Sequence, residues 1–135
     1  MPAGYSGTPL LKKLGIDENT RILAIHAPDN YFQLLDSDIS GQYVKGPETP
    51  DLVHLFATSR KEMEQSLFSL KNVIRANPKL VIWVSWYKKS AGQSTDLTEN
   101  HIREFALSHG LVDIKVCAVS ELWSGLKLVV PKNLR

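Results

Sequence analysis

Apolar residues fall into five short runs along this chain, and in the segments between them they recur mainly at helical spacing. The densest run, Leu80-Val81-Ile82-Trp83-Val84-Ser85, is near-continuous, the pattern of a central parallel strand covered on both faces. It feeds a polar loop carrying Trp86, Tyr87, Lys88, Lys89 and Gly92, which ends at a helix start near Thr98. Ligands are expected just beyond the carboxyl end of such a strand.

The other runs are placed around it. Thr8-Pro9 predicts a helix start, and a short helix Pro9–Leu14 stops at Gly15. Arg21–Ala27 reads as the first strand, broken by Ala27-Pro28, and Asp29–Leu35 as a short helix. Residues 36–50, with Gly41, Gly46, Pro47 and Pro50, predict a loop or weak edge strand. Asp51–Ala57 is the second strand. Ser59-Arg60-Lys61-Glu62 has capping-box spacing, and Met63, Leu67, Leu70 and Ile74 follow on one face of a helix Arg60–Ala76. Glu99–His109 predicts the last helix, with Ile102, Phe105 and Ala106 inward and Gly110 as its stop. Val112–Val119 and Leu126–Val130 are joined by too few residues for a crossover and should pair antiparallel. This order predicts one three-layer α/β domain over residues 1–135, its sheet mainly parallel with an antiparallel end.

Composition narrows the function classes. At 135 residues, 43% hydrophobic and 22% charged, the chain is an ordinary globular domain. Sixteen basic against 14 acidic residues give a net charge of +2, too balanced to predict attraction to nucleic acid or a membrane surface. No apolar run approaches the ~20 residues of a membrane helix. The N-terminal MPAGYSGTPLLKK has no apolar signal core, so a cytoplasmic protein is expected. The single cysteine, Cys117, excludes an intrachain disulfide and a cysteine-based zinc site.

From Asp51 to Val130 the chain resembles the second half of a Rossmann-like S-adenosylmethionine-dependent methyltransferase. LVIWVSW, the helix LTENHIREFALSHGL and the pair VDIKVCAV/SGLKLVV stand where such enzymes place their last parallel strands and terminal hairpin. GYSGTPLLKKLGI, DLVHLFATSR, LVIWVSWYKK, TDLTENHIRE and GLVDIKVCAVSELWSGLKLV resemble, over nearly the whole chain, an uncharacterised bacterial domain-of-unknown-function family of the DUF3052 type. That second resemblance implies no particular activity. The first implies a Gly-rich turn after the first strand, where the cofactor is approached closely, and an acidic residue ending the second strand. Here the turn is His26-Ala27-Pro28-Asp29-Asn30, with no glycine before Gly41. Residues 36–50 are too few for the second-strand and third-strand region, which is read as largely deleted.

The candidate site residues follow from this layout. Lys88 and Lys89 fall on the ligand-binding edge of the sheet, where Ser59 and Arg60 at the start of the long helix would complete an anion site; the alternative is a solvated basic loop. No Walker-type loop accompanies them. His26 and His54 lie on two strands that could be neighbours, with Asp29 nearby; convergence would give a metal site or a base, whereas a strand histidine more often bonds within the core. His101 and His109 read as surface positions. Trp86, Tyr87, Trp123 and Tyr5 either ring a pocket for a planar or phosphorylated molecule or simply pack, and Trp83 reads as core. Cys117 reads as a buried inert thiol, and Ser6, Ser85, Ser90 and Ser94 lack nucleophile context. The arm GYSGTPL either closes over the carboxyl edge or is a tail.

The primary expectation is a non-catalytic domain that binds a small anionic molecule or a protein partner, with no cofactor. The alternative is a minimal S-adenosylmethionine-dependent transferase with an unorthodox cofactor site. A third reading is an interaction protein that dimerises through its sheet edge, so monomer and homodimer both stay open.

Overall fold

The computed structural model describes residues 8–46 and 48–135. Its centre is a five-stranded sheet of β1 (Ile22–Ile25), β2 (Leu52–Phe56), β3 (Val81–Tyr87), β4 (Val112–Ala118) and β5 (Trp123–Val129). Their spatial order is β1-β2-β3-β5-β4, so the Lys79–Thr98 region contributes the middle strand. The β1–β2 and β2–β3 ladders are parallel. β5 runs against both β3 and β4, so only β5 is reversed.

Helices cover the two faces and make the three layers. α1 (Leu10–Leu14) and α2 (Tyr31–Leu35) bury Leu10, Leu14, Tyr31 and Leu35 against Leu52, Phe56, Trp83 and Trp123 on one face. On the other, α3 (Arg60–Ser69), α4 (Lys71–Ala76) and α5 (Glu99–Ser108) pack Met63, Leu67, Ile102 and Ala106 against Val53, Leu55, Ile82 and Val84. Strict alternation along β2 and β3 feeds both cores, which is why these strands read as unbroken apolar runs. Among the described residues, no helix is long and apolar enough to cross a membrane.

Several boundaries differ from those expected, each for a local reason. The long helix is two helices meeting at Leu70 (φ −85°, ψ 0°), where the Ser69 hydroxyl donates to the Ser66 carbonyl at 2.6 Å and the Leu70 N–H turns back to Leu67. The first helix is capped by Pro9 rather than Thr8 and ends at Gly15, whose φ of +82° suits a residue without a Cβ. β3 runs on to Tyr87 and β5 begins at Trp123, each extension supplying the other's partners. Between β1 and β2 the described chain makes α2, one turn of 3-10 helix at Ser40–Gln42 and a single parallel bridge, Ile22 to Tyr43.

The Ser59 half of the capping box at α3 forms as expected, its hydroxyl accepting from the Glu62 N–H at 3.1 Å, while the Glu62 carboxylate accepts at 2.8 Å from the N–H of Thr58, one residue before the cap. Ser59→Ala should therefore cost about 1 kcal/mol, read as a fall in melting temperature of about 4 °C. An unchanged melting temperature would show that the cap is redundant.

Candidate functional site

Two features converge at the carboxyl edge of the sheet. The first lies beyond β3. Alternation turns Trp86 toward α5 and Tyr87 toward the opposite face, where Tyr87 stacks on its cross-strand partner Trp123 at 4.7 Å between ring centroids. Trp123 in turn meets Phe56 edge-on at 5.0 Å. The expected aromatic ring around one pocket is thus divided: Tyr87 and Trp123 are packing residues, and Trp86 alone floors a groove. Tyr5 and Ser6, and residues 1–7 of the arm, lie outside the described residues.

That groove, of about 670 Å³, is lined by Trp86, Lys88, Lys89, Ser90, Leu97, the α5 residues Glu99 and Asn100 with their cap Thr98, and Ser124. Thr98 starts α5, its hydroxyl accepting from the His101 N–H at 3.2 Å. The N–H groups of the first turn have no acceptor within the helix, and they carry the positive end of its dipole. The Glu99 carboxylate sits on the same rim but is drawn away along the helix by Arg103, which also holds Asp113 of β4 at 3.0 Å.

The loop between β3 and α5 is tied down rather than free. Thr95 donates to the Thr58 carbonyl at 2.7 Å. The Arg60 N–H and its Nε donate at 2.8 Å each to the carboxylate and carbonyl of Asp96. Lys88 is anchored by its own N–H to the Leu122 carbonyl at 2.9 Å. Of the expected anion site, the structure brings Trp86, Lys88 and Lys89 into one groove. Ser59 and Arg60 do not line it: the Ser59 hydroxyl caps α3, and Arg60 holds Asp96 beside the groove rim. The participation of Thr98, Asn100 and Ser124 is not legible in the sequence, because it needs the β3–β5 register and the docking of α5.

The second feature lies beyond β1 and β2. α2 follows β1 onto one face and α3 follows β2 onto the other, so this is the point where the winding reverses. His26 stands here just past the end of β1 at φ +56°, a left-handed conformation rare for a residue with a Cβ. Its side chain is 55% exposed, with Nδ1 3.8 Å from the Glu62 carboxylate. Asp29 is exposed at the start of the next turn.

His54 does not join His26. Although Ala24 pairs with His54 in the β1–β2 ladder, the His54 ring points into the core and is wholly buried. Its Nδ1 lies 2.7 Å from the Tyr31 hydroxyl and its Nε2 2.7 Å from the Ser85 hydroxyl. Burial pushes the His54 imidazole down to about 3 and the Tyr31 phenol well above its usual range, so both stay neutral. The expected alternative of a core-bonded histidine is the one realised. The signal for this Tyr31–His54–Ser85 chain is one polar residue within each of two otherwise apolar strands, which the register sets diagonally on one face. Among the described residues, no group of three His, Cys, Asp or Glu side chains could hold a metal ion. His101 is not a plain surface residue, since its Nε2 lies 2.6 Å from the Glu64 carboxylate and joins α5 to α3. His109 is exposed and stacks on Phe105 at 4.2 Å.

No protein-family model matches the chain, and no curated protein is similar to it in sequence. Solved structures are similar in fold. A SAM-dependent methyltransferase from Aquifex aeolicus superposes with a TM-score of 0.58 at 15% identity, covering 90% of this chain and 88% of the other. A protein of the NADB-Rossmann superfamily from Streptococcus agalactiae gives 0.56 at 7% identity, over 95% and 70% of the two chains. An O-methyltransferase of neocarzinostatin biosynthesis, solved with S-adenosylmethionine and a naphthoic acid, gives 0.53 at 16% identity over 82% of this chain; the match spans only 41% of that larger one. The chain therefore has a Rossmann-like, methyltransferase-like α/β fold, with the second-strand and third-strand region between β1 and β2 reduced to a short helix and a turn.

Proposed function

We propose that this chain is a non-catalytic small-anion-binding domain built on a methyltransferase-like scaffold, with its ligand in the groove beyond β3. The observation that carries this reading is the coincidence in one concavity of Lys88, Lys89, the amino end of α5 and the flat Trp86 floor. Two ammonium groups and a helix N-terminus attract an anion, and an indole offers an apolar surface to the rest of a small molecule. The groove supplies no free general base: its one carboxylate, Glu99, is held by Arg103, and neighbouring Asp96 accepts from Arg60. Arg60 supports this groove indirectly, by holding Asp96 beside its rim; Ser59, His26 and Asp29 lie outside it. A monomer suffices for this site.

A second reading, a minimal S-adenosylmethionine-dependent transferase, is favoured by the similar structures that are methyltransferases and by the reversal of winding beyond β1 and β2. The residues present do not fit that cofactor. The turn after β1, His26-Ala27-Pro28-Asp29-Asn30, has no glycine to let the backbone approach it closely, and among the described residues the strand paired with β1 ends at Phe56 rather than at an acidic residue.

Thermal denaturation with inorganic phosphate, ADP, S-adenosylmethionine and S-adenosylhomocysteine separates the readings. A ligand at one hundred times its dissociation constant adds about 2.7 kcal/mol, a shift of several degrees. The expected result is a shift with phosphate or ADP that Lys88→Ala/Lys89→Ala weakens at least tenfold, since each charge-assisted contact contributes about 1.5–3 kcal/mol. A shift with S-adenosyl compounds alone would replace the first reading by the second.

A further inference from the structure

A different cluster of cations lies on the opposite face of the sheet, away from α5. The β3–β5 register places Lys127 beside Trp83, hence on the α1 side, and the β4–β5 register places Lys115 directly opposite Lys127. Lys12 and Lys13, near the end of α1, come over the same strands. Together with Lys115, Cys117 and Thr8 they line a groove of about 490 Å³. Lys12, Lys115 and Lys127 enter none of the ion pairs among the described residues.

Lys115 on the edge strand β4 guards against edge-to-edge pairing, but that gives no reason for the lysines of β5 and α1 that face it. Like charges facing each other across an antiparallel pair destabilise the sheet. In a chain whose net charge is only +2, four lysines converging on one small region are a local concentration of charge rather than an overall bias. A concave surface focuses such a field. All four are lysines, point charges that attract phosphate oxygens from several directions without the fixed fork by which arginine grips carboxylates and phosphates alike.

We propose that this groove is a binding site for a small, multiply phosphorylated molecule, separate from the groove at Lys88 and Lys89. The compactness of the cluster favours a small molecule over a nucleic-acid backbone, which would need a longer track of cations. Cys117, the single cysteine of the chain, is half-buried in the same groove. Burial pushes its thiol up, while Lys13 and Lys115 draw it back. An anion that neutralises those lysines raises the thiol further and covers it, so alkylation of Cys117 reports on occupancy of this groove and not of the other.

The test uses tripolyphosphate with the full chain and follows both the melting temperature and the rate of Cys117 alkylation by iodoacetamide. The expected result is a rise in melting temperature with a slowing of alkylation. The slowing of alkylation should need at least tenfold more tripolyphosphate in Lys115→Ala and in Lys12→Ala, persist in Lys88→Ala/Lys89→Ala, and weaken as salt rises. Lys115→Glu should melt about 1–3 °C higher than the natural chain while losing the response, because it replaces a repulsive cross-strand pair by an attractive one. Unchanged alkylation, or a response lost with Lys88 and Lys89 instead, would overturn the proposal. Tighter binding of a 12-nucleotide single-stranded DNA than of tripolyphosphate would overturn the ligand class.

Discussion

Lowering the pH from 7 to 5 should cost this fold about 2 kcal/mol through His54 alone. In the folded chain its imidazole titrates at about 3, against 6.5 for the free group, because the wholly buried ring has no solvent to stabilise a charge. The unfolded chain therefore binds the proton first. Stability is complete above pH 6.5 and declines by about 1.4 kcal/mol per unit as the pH falls toward 3. Urea denaturation at pH 7 and pH 5 measures the difference, and in His54→Gln that part of the slope should disappear. Equal slopes in the two proteins would refute the assignment. Should the variant fold poorly, NMR of the imidazole in the natural chain gives the same answer, since His54 must remain neutral at pH 5.

Trp83→Ala should be the most damaging single truncation, costing about 3–5 kcal/mol from lost burial and the cavity left behind. Trp83 is fully buried at the middle of the middle strand, flanked in the ladders by His54 and Lys127. Its Nε1–H also donates at 3.0 Å to the Leu14 carbonyl, the end of α1, so one side chain joins the sheet centre to the N-terminal helix. Trp83→Phe keeps most of the apolar contact and loses that bond, for about 1 kcal/mol plus a partial packing loss. Against a total stability of about 5–15 kcal/mol, the alanine variant should lose a large fraction of the fold's stability, and its urea midpoint should fall well below that of the phenylalanine variant. Similar urea midpoints for the two would show that the site collapses around the gap.

The lesson for reading such a chain is local. Strands and helices are legible because β2 and β3 are apolar at every position but His54 and Ser85, and because Ser59 and Thr98 stand ahead of helical spacing. The Leu70 break is not, because Ser66 and Ser69 look like ordinary helix-surface residues until a hydroxyl takes a carbonyl from the ladder. Trp86 and Tyr87 look like loop residues in sequence because nothing in their own segment shows that Ser124 and Trp123 arrive to pair with them.

The sequence by itself determined the order of elements, the two-faced burial of the central strands, the antiparallel end and the presence of Lys88 and Lys89 at the edge where ligands bind. Periodicity and capping are local properties, written in neighbouring residues. Only the tertiary structure decided which side chains meet: that His54 bonds Tyr31 and Ser85 rather than His26, that Tyr87 and Trp123 pack while Trp86 floors a groove, and that Lys115 faces Lys127 beneath α1. Those outcomes depend on strand register, where a shift of one residue exchanges the two faces of the sheet. Register is set by pairing between segments tens of residues apart.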